Sequence, residues 1–289
     1  MGSLLNEIFI GLSLTSILLM IALGLAIIYG AMGVINLAHG QFVMVGAYIA
    51  WFLQSQFGFN VIVGLPLTFI SGALLGLLLE RTIIQRLYQR PLDTILATWG
   101  IGIVLEQLVR TFLGPDSRYV GRPDFLDGNL VIGDIHMSYY RLFIIAFSIL
   151  ILFATWYLLY RTEFGAKLRA VIQNKEISEC YGISSNKMYA MTFAYGAGLA
   201  AVAGSLITPF VSVTPTMGTE LVVDAFLVVI VGGVGSIAGT AASALMIGEA
   251  TAWLSYWFND TTGRILILIG VIVLIRFRPQ GLFPDTVRR

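Results

Sequence analysis

Asn36, His39 and Gln41 interrupt an otherwise apolar stretch, Ile35-Asn36-Leu37-Ala38-His39-Gly40-Gln41-Phe42. Polar groups at membrane depth are costly and face a cavity or a neighbouring helix. A break in a helix at that depth frees backbone groups that can line a path for a solute. Translocation or gating is therefore one reading of the stretch, and a tight interfacial turn facing water is the other. Asp224 and Glu249 lie in apolar runs with no cationic neighbour in their own segment. A buried carboxylate needs a hydrogen bond or water, so each is either part of a path or a tie between helices. Glu106 and Arg110 stand four apart and are expected to neutralise one another along one helix face. His136 falls in a polar loop and is expected to be solvated. Cys180 is the single cysteine, which excludes an intramolecular disulfide and a cysteine metal cluster. There is no GxxxxGK[ST] loop, no HExxH and no Ser-His-Asp set. The run Gly232-Gly233-Val234-Gly235-Ser236-Ile237-Ala238-Gly239-Thr240-Ala241 looks like a phosphate loop only superficially, because it follows no strand. Close helix packing or a discontinuous helix is expected there. Catalysis, metal binding and a cofactor are thus not expected, and passage of a solute past polar groups is.

The elements that hold these residues follow from composition. Hydrophobic residues make up 57% and charged residues 11% of 289, with mean hydropathy +0.87. Soluble domains carry about 25% charged residues, so lipid is the solvent this chain is built for. A net charge of +1 leaves no basic patch for nucleic acid. The apolar runs are continuous, without the alternation of a barrel strand. An all-α, polytopic bundle is expected, with spans at 8–30, 41–56, 61–80, 94–114, 139–160, 189–210, 221–236, 238–258 and 265–277. Some are short or broken by glycine, so eight and nine crossings both fit a requirement of about 20 residues. The first run lacks a basic leader and a cleavage site and reads as a retained span. Arg81, Arg86, Arg90, Arg161, Lys167, Arg169, Lys175, Lys187, Arg276, Arg278, Arg288 and Arg289 fall on one side if there are nine crossings. Positive residues favour the cytoplasm, which puts the N-terminus outside and the C-terminus inside. The loop at 115–138, with Asp116, Asp124, Asp127 and Asp134, is then external.

Neither that loop nor the cytoplasmic one at about 161–188 can hold a core of its own. The chain reads as one transmembrane domain over 1–289, and an energy-converting domain must sit on another polypeptide. In the cytoplasmic loop Phe164, Leu168, Val171 and Ile172, then Ile177 and Tyr181, recur at helical spacing. They predict one short amphipathic helix ended by Gly182, whose freedom at positive φ suits a C-cap. Its charges alternate in sign, which favours a docking surface over a membrane anchor, an ordinary interfacial helix being the alternative.

Four segments together resemble the permeases of high-affinity importers for branched-chain amino acids and urea. They are 30–48 with its Met32-Gly33-Val34-Ile35-Asn36-Leu37-Ala38-His39-Gly40 core, Arg169-Ala170-Val171 with Gln173-Asn174 and Gly182-Ile183, the run 228–239, and the ending Arg278-Pro279-Gln280-Gly281-Leu282-Phe283. Gln41 stands where many relatives have Glu. The resemblance implies the permease subunit of an ATP-binding-cassette importer in the bacterial inner (plasma) membrane, without an ATPase site of its own. It implies three kinds of partner: a second related permease, two cytoplasmic ATP-binding subunits and an extracytoplasmic substrate-binding protein. Gly165, Arg169, Ala170, Gln173, Asn174 and Gly182 would then form the helix that couples to the ATPase. Asn36, His39, Gln41, Thr98, Trp99, Asp224 and Glu249 are the expected translocation path. Gly11-Leu12-Ser13-Leu14, Ala22-Leu23-Gly24-Leu25-Ala26-Ile27 and Met32–Asn36 are most similar to urea-type permeases. Urea or a short amide is therefore the expected substrate, with Asn36, Thr98, Trp99 and Thr240 as hydrogen-bond partners. A branched-chain amino acid permease is the alternative, and a stand-alone urea channel or secondary transporter is the alternative of another class.

Overall fold

Helix α1 (Gly2–Met32) contains no proline and is apolar on every side. Such a helix must face either lipid or protein all round. In the computed structural model, which describes residues 2–88, 90–132 and 135–283, it faces protein: Ile21, Ala22, Leu23 and Leu25 are wholly buried. Asp134, Arg288 and Arg289 lie outside the described residues. The chain continues through α2 (His39–Phe57), α3 (Val61–Thr82), α4 (Pro91–Leu113), α5 (Tyr139–Arg161), α6 (Glu163–Gln173), α7 (Lys175–Cys180), α8 (Ser185–Ile207), α9 (Met217–Gly232), α10 (Ile237–Trp257) and α11 (Asp260–Phe277).

The second buried helix is α8, rich in Ala and Gly, and α1 and α8 together form the centre. α10, α5 and α9 pack on α1, while α3 and α2 pack on α8. Glycines bring the backbones together where lipid tails offer no hydrophobic drive between helices. At Gly196 an added Cβ would lie 2.7 Å from both Gly24 O and the Ile28 side chain. At Gly232 it would lie 2.5 Å from Gly239 O, so the glycine-rich run makes the close α9–α10 approach expected of it. Large apolar side chains such as Leu74, Leu96, Phe112, Leu150, Phe153 and Ile272 point outward from α3, α4, α5 and α11. That is the surface a bilayer would cover.

Among the described residues six helices are long and apolar enough to cross a membrane: α1, α3, α4, α5, α8 and α10. The other three expected spans fall in shorter or more polar helices. α9 has only 16 residues, α11 carries Asp260, Arg264 and Arg276, and α2 contains His39, Gln41, Gln54 and Gln56. Length and composition therefore support six crossings and do not reach eight or nine.

The expectation of an all-α chain needs one correction. The loop after α4 contains an antiparallel ribbon, β1 (Asn129–Ile132) with β2 (Ile135–Ser138), in the register Asn129↔Ser138 and Leu130↔Met137. β2 alternates apolar and polar residues, as a short two-sided ribbon does, whereas β1 is apolar from Leu130 to Ile132. His136 N donates to Asn6 Oδ1 at 3.0 Å, which ties the ribbon to the start of α1. The same loop is joined to the segment between α8 and α9 by reciprocal Arg118–Val213 backbone bonds. The His136 side chain is exposed, as expected.

Candidate translocation path and coupling surface

The break between α1 and α2 begins at Gly33, with φ +69°, a conformation open to glycine and strained for other residues. In the segment that follows, Val34, Asn36 and Ala38 are buried and Ile35 and Leu37 half-buried, so its backbone must find partners inside the protein. Asn36 Oδ1 accepts from Ala38 N at 3.1 Å. Thr98 Oγ1, reaching across from α4, accepts from Leu37 N at 3.2 Å. His39 Nε2 meets the Ile21 carbonyl of α1 at 3.0 Å and is assigned as its donor. Gln41 Nε2 donates to Thr219 Oγ1 of α9 at 3.2 Å. Asn36, His39, Gln41 and Thr98 are all buried. These four expected path residues therefore form one polar knot that joins α1, α2, α4 and α9. Asn36 Nδ2, His39 Nδ1 and Gln41 Oε1 are buried in it without a hydrogen-bond partner among the described residues.

Trp99 does not join them: it is 58% exposed on the outer side of α4. A helix turns about 100° per residue, so neighbours such as Thr98 and Trp99 cannot share a face. Thr240, offered as an amide partner, donates instead to Ser236 O within its own helix at 2.8 Å. Glu249 sits apart on α10, where Gly11 of α1 makes room for it. A Cβ at Gly11 would lie 2.5 Å from Glu249 Oε2.

Asp224 lines a cavity of about 240 Å³ between α1, α9, α10 and α11. Glu220, one turn away on α9, and Arg264 of α11 line it too, with apolar walls from Leu14, Leu18, Leu227 and Ile247. Asp224 thus has a cationic neighbour, but on another helix. The i,i+4 spacing of Glu220 and Asp224 was legible in the sequence; their approach to Arg264 required knowing that α9 and α11 lie together. Also unforeseen is Glu80 at the end of α3, wholly buried, whose Oε1 accepts a hydrogen bond from the Tyr88 hydroxyl. Burial and that carboxylate hold the Tyr88 phenol well above its ordinary pKa. Glu106 and Arg110 pair at 2.9 Å, as expected from their spacing.

At the other end of α8, the expected coupling helix is two helices rather than one. Asn174 is extended (φ −155°, ψ 106°), and its Oδ1 accepts from Ile177 N at 3.0 Å, capping a new helix, α7. The break changes which side chains are buried. Leu168 and Val171 of α6 pack against Ala31 and Met188, but Ile177 and Tyr181 are 56% and 83% exposed. Gly182 has φ +80° and ends α7, with Ile183 N donating to Ser178 O at 3.0 Å. Gly165 is buried where α6 meets the end of α5. Arg169 donates to Leu159 O and lies over the Tyr160 ring, 5.5 Å from its centroid. Arg169, Gln173, Asn174 and Gly182 are exposed, and Ala170 is half-buried.

Comparison with known proteins joins these features. The high-affinity branched-chain amino acid transport system permease protein BraD of Pseudomonas aeruginosa is 29% identical, over 96% of this chain and 95% of its own length. The corresponding protein LivH of Escherichia coli is 28% identical over 93% of each chain. A probable branched-chain amino acid transport permease protein LivH of Methanocaldococcus jannaschii is also 28% identical, over 93% of this chain and 89% of its own. No solved structure matches. The likeness of the first helix to urea-type permeases finds no support among these relatives. Its residues are those of the α1 core, with Ala22, Leu23, Leu25 and Ala26 at most 1% exposed, so they report packing rather than substrate. The family model for the branched-chain amino acid transport system permease component matches residues 7–275, and the chain belongs to that family of transport permeases, which are not themselves enzymes.

Proposed function

We propose that this chain is a permease subunit of an ATP-binding-cassette importer for branched-chain amino acids. The observation that carries the reading is similarity over nearly the whole length to permeases named for that transport. The partners are two cytoplasmic ATP-binding subunits, a soluble substrate-binding protein outside, and a second related permease. The basic residues around α6 and α7 support a cytoplasmic location for that end, with the N-terminus outside. The polar knot at Asn36, His39, Gln41 and Thr98 belongs to the gated part of the path, because it joins four helices at a break. The exposed Ile177 and Tyr181, flanked by Arg169, Gln173, Asn174 and Gly182, form the surface that an ATPase grips.

Uptake of labelled leucine and labelled urea in cells with and without this chain tests the substrate. Loss of leucine uptake alone is expected when the chain is deleted, and loss of urea uptake alone would overturn the reading. Depleting ATP while holding the ion gradient is expected to stop uptake; continued uptake would make the chain a channel or secondary transporter. Tyr181→Ala with Ile177→Asp is expected to lower ATP-driven uptake about tenfold or more, the scale of losing an interface hot spot, at unchanged membrane abundance.

A further inference from the structure

We propose that the cavity lined by Glu220, Asp224 and Arg264 is a docking site within the permease for the substrate itself, one zwitterionic aliphatic amino acid. This rests on the functional reading above and adds the place where substrate touches the channel. Three features argue for it. First, the charges are not spent on one another. Among the described residues the ion pairs are Arg90–Asp93, Arg110–Glu106 and Lys167–Glu163, so Arg264 shares the cavity with two carboxylates without closing on either. Glu220 and Asp224, four apart on one helix, repel each other, and an ammonium group between them relieves that repulsion. Arg264, across the cavity, is a fork for a carboxylate.

Second, most of the remaining wall is aliphatic, with Ser212, Thr214 and Thr251 as its polar members. Leu14, Leu18 and Ile247 give a branched side chain a surface to leave water against. Urea has neither net charges to pair nor an apolar part, and it would complement neither the charged groups nor the aliphatic wall. The volume of about 240 Å³ is below the roughly 300–1,000 Å³ of sites for drug-sized ligands, as a single small metabolite requires. Third, the cavity is on the entry side. It is bordered by Val211 and Thr214 of the segment that pairs with the loop after α4, at the opposite end of α8 from α7. The cavity adjoins the polar knot, because Thr219, which bonds Gln41, is next to Glu220 in the first turn of α9.

The test uses the complete importer in proteoliposomes, with the binding protein saturated by labelled leucine or labelled alanine. Arg264→Gln and Asp224→Asn are each expected to lower the maximal leucine rate about tenfold or more, as loss of a charge-assisted contact does, and Arg264→Lys less. Leu14→Phe, which fills the aliphatic wall, is expected to lower the leucine-to-alanine rate ratio several-fold, a change that a purely structural role would not produce. If the wild-type importer does not move leucine, the functional reading fails. If it does, and neither charge variant slows uptake while Leu14→Phe leaves the ratio unchanged, the site alone is overturned. Should the charge variants fail to reach the membrane, the Leu14→Phe ratio decides.

Discussion

Thr98 serves the backbone first. Its hydroxyl accepts the Leu37 N–H, a donor that would otherwise be stranded in the interior where the chain leaves α1. Removing the partner of a buried donor costs about 1–3 kcal/mol. Thr98→Val keeps the shape and deletes the acceptor, so it is expected to destabilise the purified protein by that amount, with Thr98→Ser close to wild type; thermal unfolding in detergent measures both. The neighbouring Asn36, His39 and Gln41 each use one polar atom in the knot and keep another buried and unpartnered among the described residues. That leftover capacity distinguishes them from Thr240, whose hydroxyl is satisfied within its own helix. Their residue types were legible in the sequence because polar side chains in an apolar run stand out. That Trp99 faces away from them follows from helix rotation, once α4 is known to run unbroken from Pro91 to Leu113.

At the scale of elements, the division of α6 from α7 has the largest functional consequence. Periodicity alone joins Phe164 through Tyr181 into one apolar stripe, because the spacing continues through Asn174. The cap at Asn174 resets the phase and turns Ile177 and Tyr181 outward. An N-cap carboxamide replaced by alanine costs about 1 kcal/mol, and a helix as short as Lys175–Cys180 has little else to hold it. Asn174→Ala is therefore expected to abolish amide-exchange protection across 175–180 while leaving α6 protected, and Asn174→Asp to retain it. If α7 stays protected in the alanine variant, contacts with α8 rather than the cap hold it. The same scale separates α9 from a full span: its 16 residues end at Gly233, with φ +94°, and its first turn serves both the knot and the cavity.

For the whole molecule, the centre is two helices pressed together through small residues. Leucine at Gly196 would have to displace the Gly24 backbone or Ile28. Over-packing costs about 1–3 kcal/mol or more, so Gly196→Leu is expected to deplete the protein from the membrane. Gly100 and Gly270 have open space around them, and Gly100→Leu and Gly270→Leu are expected to leave abundance and melting unchanged within about 0.5 kcal/mol. Equal loss in all three would show that helix insertion, and not the α1–α8 contact, is sensitive. By itself the sequence determined the membrane class, the long apolar helices, the Glu106–Arg110 pair and the polar interruption at Asn36–Gln41, although the helix break itself covers 33–38 and α2 already begins at His39, because hydropathy and local spacing are properties of neighbouring residues. It also carried the likeness to the permease family in four short motifs. Only the tertiary structure decided that α1 and α8 are the core while α3, α4 and α5 face outward, since α5 is as apolar as α1 and α4 nearly as apolar as α8, and which helix meets protein depends on the others. It also decided that Asp224 shares a cavity with Arg264 across 40 positions of sequence, because contacts between α9 and α11 are set by how the bundle closes and leave no periodic trace along the chain.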